Sequence, residues 1–149
     1  MNANLIEILL VEDDPGDIML IRESFADHKV GNTLTVLNDG VEAMAFLRAE
    51  GKYSGRARPD LVVLDLNLPR KNGTEVLAEI KNDPCLSTIP VVVLTTSEAE
   101  EDILASYRLH ANAYITKPVD FERFKAVVHH IDEFFIGVVQ LPGTSAGND

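Results

Sequence analysis

The chain has 149 residues, 46% of them hydrophobic and 25% charged, which suits one globular domain with a real core and leaves too little for two. Its 24 acidic residues outweigh 13 basic ones for a net charge of −11, and the basic residues Lys52, Arg56, Arg58 and Arg70-Lys71 are scattered, so no stripe for DNA or RNA forms. No apolar run approaches the roughly 20 residues of a membrane span, the N-terminus carries no secretion-signal pattern, and the single Cys85 has no disulfide partner. The cytoplasm is the expected compartment, without membrane or nucleic-acid contact.

In chain order, Glu7 to Val11 is an apolar run ending in Glu12-Asp13-Asp14. A helix is expected from about Gly16, with Asp14 as cap, Pro15 in the first turn, and Ile18, Ile21 and Phe25 on one face. Leu34 to Leu37 reads as a second strand; the Asn38-Asp39-Gly40 turn then opens a helix with Val41, Met44 and Leu47 inward. Gly51 to Pro59 reads as a surface connection. Leu61 to Asp65 is the third strand, Glu75 to Lys81 lies on the third helix, and Pro90 to Thr95 is the fourth strand. Ser97 with Glu100 forms a capping-box pattern for the fourth helix. Ala113 to Thr116 is a short fifth strand, and a last helix runs from about Asp120 to Phe135. Three strands are almost uninterrupted apolar runs, as parallel strands buried on both faces are. Five strand–helix alternations predict an α/β fold, an open parallel sheet wrapped by helices on both sides.

In such a sheet, ligands bind beyond the carboxyl ends of the strands. The first strand delivers Glu12, Asp13 and Asp14; the third Asp65; the fourth Thr95; the fifth leads to Lys117. Singly, each has an ordinary reading: Asp14 a helix cap, Thr95 a strand terminus, Lys117 a surface lysine. Their convergence on one edge points to chemistry. Crowded carboxylates are tolerable when a cation shares them, oxygen ligands favour Mg²⁺, and an ionised carboxylate is a nucleophile for phosphoryl transfer. Lys117 and the Thr95 hydroxyl would then meet the spread negative charge of the transferred group.

These residues resemble the receiver domains of two-component response regulators over about residues 6 to 135. The resemblance is carried by Leu10-Val11-Glu12-Asp13-Asp14, Leu64-Asp65-Leu66-Asn67-Leu68-Pro69, Asn72-Gly73, Leu94-Thr95-Thr96-Ser97 and Tyr114-Ile115-Thr116-Lys117-Pro118. It implies a flavodoxin-like sheet in the order 2-1-3-4-5, and Asp65 accepting a phosphoryl group from a phosphohistidine on a partner histidine kinase. It further implies Mg²⁺ on Asp14, Asp65 and the backbone carbonyl of Asn67, with Asp13 acting largely through water. Thr95 and Lys117 would bind the phosphoryl group, a cis Lys117–Pro118 peptide would aim the lysine, and Tyr114 would be the switch aromatic. Such a protein promotes its own phosphorylation and dephosphorylation and is not otherwise an enzyme.

Three features resemble, more narrowly, the stand-alone regulators paired with bacterial phytochrome kinases: Glu12-Asp13-Asp14-Pro15-Gly16-Asp17, Leu94-Thr95-Thr96-Ser97, and the aromatic, apolar end of the chain. Phe121, Phe124, Phe134 and Phe135 offer more apolar surface than one helix face needs, and Ile136, Val138, Val139 and Leu141 continue it. Such a tail folds back on its own domain or packs on another chain; the resemblance implies a homodimer through the last helix and this extension. The expected division is a receiver domain at 1–135 and an apolar extension with a flexible tail at 136–149. With no effector region legible after Pro142, output by protein contact or further phosphotransfer is expected. Two alternatives stand beside this reading. A haloacid-dehalogenase-type phosphohydrolase would need a second carboxylate where Asn67 stands, and a scaffold receiver would not need its acidic, Thr and Lys positions filled.

Overall fold

The structure, a computed structural model, describes residues 6–26, 31–96 and 99–132. The elements alternate as β1 (Ile6–Val11), α1 (Pro15–Ala26), β2 (Asn32–Leu37), α2 (Gly40–Leu47), β3 (Leu61–Leu64), α3 (Gly73–Asn82), β4 (Val91–Thr95), α4 (Glu100–Arg108), β5 (Ala113–Thr116) and α5 (Phe121–Asp132), with a 3₁₀ turn at Gly51–Tyr53. All strand pairings are parallel, and the order β2-β1-β3-β4-β5 matches the expected flavodoxin-like arrangement.

The central strands β1, β3 and β4 are buried on both faces, which is why their sequences read as apolar runs rather than alternations. Two cores result. On one face, Leu9, Val11, Val62, Leu64, Val91 and Val93 meet Met44, Leu47, Val76, Leu77 and Ile80 from α2 and α3. On the other, Ile8, Leu10, Leu61, Val63, Val92 and Leu94 meet Ile21 and Phe25 of α1 and Phe124, Val128 and Ile131 of α5. The i, i+4, i+7 spacing of that last trio is one helical stripe.

Local signals set most helix starts. Asp39 caps α2 by accepting from the Glu42 N–H at 2.8 Å, and Asn72 with Glu75 closes a reciprocal capping box on α3. Met44 and Leu47 are buried as expected, joined by Ala43 and Phe46, but Val41, also expected inward, is on the exposed side of α2. In so apolar a helix, the 3.6-residue period does not single out one face. The capping box expected at Ser97 falls outside the described residues, and α4 starts at Glu100.

Two glycines permit close approaches that shape the edge above the strands. A Cβ at Gly73 would lie 2.2 Å from the Asp65 carbonyl oxygen and 2.5 Å from the Leu66 Cα, so the start of α3 rests directly on the backbone that carries Asp65. A Cβ at Gly40 would meet the Lys71 carbonyl oxygen at 1.9 Å, which seats α2 against the same loop. Among the described residues, no helix is long and apolar enough to cross a membrane.

Candidate functional site

The strand order reverses between β1 and β3, so the crevice of an open α/β sheet lies above their carboxyl ends. Backbone pairing extends past the strands there and fixes the functional residues in register. The Glu12 N–H donates to the Leu37 carbonyl at 3.0 Å, the Asp65 N–H to the Val11 carbonyl at 3.0 Å, and the Lys117 N–H to the Thr95 carbonyl at 2.7 Å. Glu12, Asp65, Thr95 and Lys117 are consequently all buried at the top of an otherwise apolar sheet. Asp13 stays exposed beside them.

One carboxylate oxygen each from Glu12, Asp13 and Asp65 lies within 4.8 Å of the others. Lys117 supplies the countercharge: its Nζ is 2.6 Å from Glu12 Oε1, 2.8 Å from Asp17 Oδ2 and 3.4 Å from Asp65 Oδ2. Burial pushes the Glu12 carboxyl up to about 7; the Asp65 charge adds to the rise and the Lys117 hydrogen bond opposes it. Burial alone would lower Lys117, but hydrogen bonds to Asp17 and Glu12 and the charges of Glu12 and Asp65 prevail, holding it above the ordinary lysine range. At neutral pH the ammonium is therefore a fixed positive charge beside Asp65.

The Asp65 carboxylate has a second donor. Its Oδ1 accepts from the Asn67 N–H at 3.2 Å across the turn that leaves β3. The Asn67 side-chain amide in turn points toward the Thr95 and Thr96 hydroxyls at 3.5 and 3.4 Å. Asp65, Asn67, Thr95 and Lys117 thus meet in one place, as the sequence leads one to expect.

The acidic pair differs from expectation. Asp14, expected as a direct metal ligand, is exposed and turned to the start of α1, where its Oδ2 accepts from the Asp17 N–H at 2.9 Å. It performs the capping task of a helix N-terminus. Its place in the cluster goes to Glu12, which the sequence shows only as one of three acids ending β1. Both Glu12 oxygens are engaged, Oε1 by Lys117 and Oε2 by the Asp14 N–H at 3.1 Å. The available signal was positional: side chains alternate across a strand, and Glu12 directly continues β1 at the level of Asp65.

Two further expectations are adjusted. The described residues contain no cis peptide, so the Lys117–Pro118 bond is trans; the proline's tertiary amide favours neither isomer strongly, and Lys117 reaches all three carboxylates as it stands. Phe124, expected on a partner surface, is buried in its own core with Val128 and Ile131, whereas Phe121 is 59% exposed. Phe121 lines, with Met19 and Leu20, a groove of about 590 Å³ between α1 and α5. Tyr114 is half-buried against the α2–α3 core, paired in register with Val93. Phe134, Phe135, Ile136, Val138, Val139 and Leu141 lie outside the described residues.

The donor set fits a hard divalent cation. Oxygens around one Mg²⁺ at about 2.1 Å lie within about 4.2 Å of each other, a small side-chain adjustment from the present spacing. Asp13 is exposed to water and unencumbered by the lysine, so the cluster can bind a cation without first breaking the Glu12–Lys117 pair.

A 2-1-3-4-5 parallel sheet with three carboxylates and a paired ammonium above its reversal point defines a doubly wound α/β protein with an acidic strand-edge site. The chain belongs to the response regulator receiver family, whose receiver-domain profile matches residues 8–129. It is 49% identical to Response regulator Rcp1 of Synechocystis sp. over 135 residues, covering 91% of this chain and 92% of that protein. Among solved structures it is similar to the phosphorylated cyanobacterial phytochrome response regulator RcpA, with TM-score 0.90, 51% identity, and 93% and 99% of the two chains covered. It is equally similar to the Mn²⁺-bound form of Rcp1, with TM-score 0.91, 48% identity, and 92% and 99% covered.

Proposed function

We propose that this receiver accepts a phosphoryl group on Asp65 from a phosphohistidine of a partner histidine kinase, with Mg²⁺ at the strand edge. The observation that carries the reading is the setting of Asp65: a buried carboxylate ending β3, inside a three-carboxylate cluster and 3.4 Å from the Lys117 ammonium. An Asp65 oxygen attacks phosphorus, the P–O bond forms as the P–N bond to imidazole breaks, and the imidazole leaves with the electron pair. The Asn67 N–H holds the other Asp65 oxygen and so fixes which lone pair faces the donor. Lys117 and the Thr95 hydroxyl meet the negative charge on the transferred oxygens.

Asp13 and Asp65 are the carboxylates best placed to ligate the cation, with the Asn67 carbonyl as a third protein ligand and Glu12, already held by Lys117, contributing from behind. Bound Mg²⁺ supplies charge neutralisation between Asp65 and the incoming group. In this reading Tyr114, half-buried on β5 beside the strand that ends in Thr95, reads the change and passes it to the α4–β5 surface.

The likeness to a phytochrome response regulator supports a phytochrome-type histidine kinase as the phosphodonor. The receiver unit is read as 1–135, and the apolar extension at 136–149, with exposed Phe121, as the surface for homodimer contact. Phosphotransfer from such a kinase tests the core of this: labelling requires Mg²⁺ and disappears in Asp65→Asn. Label that persists in that variant overturns the assignment.

A further inference from the structure

Lys117 has three N–H donors, and three carboxylates take them: Glu12 at 2.6 Å, Asp17 at 2.8 Å and Asp65 at 3.4 Å. Glu12 and Asp65 belong to the strand edge. Asp17 comes from elsewhere, the first turn of α1, a hundred residues from the lysine it binds. Its backbone is pinned as well, because its N–H donates to Asp14 Oδ2 at 2.9 Å. Its side chain is 23% exposed, against 2% for Glu12 and 7% for Asp65.

We propose that Asp17 is a positioning residue that holds the Lys117 ammonium in a resting place and releases it when a phosphoryl group arrives on Asp65. The inference rests on Asp65 being the phosphoacceptor. Asp65 Oδ2 becomes the ester oxygen, so its 3.4 Å bond to Lys117 passes to a phosphoryl oxygen one P–O bond farther out, and the ammonium must loosen one of its two short bonds to follow it. Glu12 is enclosed and would be left a buried, unpaired anion, which is costly. Asp17 borders solvent, and water takes the place of the ammonium there at little cost. The same carboxylate adds negative charge at a site that must accept a dianion. Both effects act in one direction: Asp17 restrains phosphoryl affinity, and its release uncouples the first turn of α1 from the end of β5.

A purely structural role, fastening α1 to the loop after β5, would make Asp17 matter for stability alone. Beryllofluoride, a phosphoryl mimic that binds an aspartate, separates the two. The full chain is titrated by calorimetry at saturating Mg²⁺ as wild type, Asp17→Asn, Asp17→Ala and Asp17→Glu, with a thermal melt of each. Asp17→Asn and Asp17→Ala are expected to bind about tenfold more tightly, the scale of one charge-assisted hydrogen bond, while Asp17→Glu stays within about twofold of wild type by keeping the anchor. Equal or weaker binding in Asp17→Asn and Asp17→Ala, with only the melting temperature lowered, overturns the inference and leaves the Asp65 reading intact. Wild-type binding that is absent, or that survives Asp65→Asn, overturns both.

Discussion

The strand-edge site and the outer surface of α4 and α5 are built on opposite terms. At the edge, Glu12, Asp65, Thr95 and Lys117 are enclosed, and each position is fixed by a backbone bond to the next strand. On the outside, Leu104 and Tyr107 of α4, Val119 in the loop before α5, and Phe121 of α5 are apolar yet stand in solvent. Inside, polar groups are buried because they satisfy one another; outside, apolar groups are exposed where none of the described residues covers them. The difference separates a site whose buried polar groups satisfy one another from a surface whose apolar groups meet water.

The contrast can be broken first along α5 itself. Phe124→Ala should cost about 3–5 kcal/mol of stability, as truncation of a buried phenylalanine does, whereas Phe121→Ala should stay within about 0.5 kcal/mol. Chemical denaturation of the two variants checks this; similar losses would mean that Phe121 is covered by the domain after all.

Next in size is Lys117→Met, which removes the only cation shown against Asp65 among the described contacts. Phosphoryl transfer should fall about a hundredfold, the usual effect of losing one preorganised charge-stabilising donor. The solution mass should not change, because the lysine faces the site and not the outer surface. Rates and sedimentation on one sample test both halves.

Gly73→Ala comes third. Its Cβ would collide with the Asp65 backbone, so overpacking should cost about 1–3 kcal/mol and displace Asp65, weakening Mg²⁺ binding in the same variant. Calorimetric Mg²⁺ affinity at wild-type level would show that α3 does not set the Asp65 loop.

The fourth effect is pH-dependent. In the folded, metal-free chain Glu12 lies near 7 rather than 4.5, so the folded state holds this proton more tightly than the unfolded one. Its contribution favours folding at pH below about 4.5 and is lost as pH rises to about 7. In EDTA, wild type should therefore lose melting temperature relative to Glu12→Gln between these pH values. Parallel curves would place the raised carboxyl elsewhere.

Much of the site was legible because each functional residue ends an apolar run, and strand ends in an alternating α/β chain must share one edge. Asp65, Thr95 and Lys117 follow from that rule alone. It does not decide which of three consecutive acids after β1 faces the crevice. That depends on where the strand stops and the helix begins, and Asp14 serves the helix while Glu12 continues the strand. Asp17 was hidden for a related reason: it reads as an ordinary acid in a first helical turn, and only tertiary packing brings it to Lys117. The face of α2 was illegible because the helix is apolar nearly all round, so Val41 and Ala43 look alike until packed. The apolar end of the chain was conspicuous in sequence, yet composition shows only that it seeks cover, not what covers it.

The most direct test of the central claim is phosphotransfer from a phytochrome-type histidine kinase, carrying labelled phosphohistidine, to wild type and to Asp65→Asn, with Mg²⁺ and with EDTA. The account predicts label on wild type with Mg²⁺, little with EDTA, and none on Asp65→Asn, with loss of label from the kinase matching its gain by the receiver. Label on Asp65→Asn, or metal-independent labelling of wild type, would contradict it.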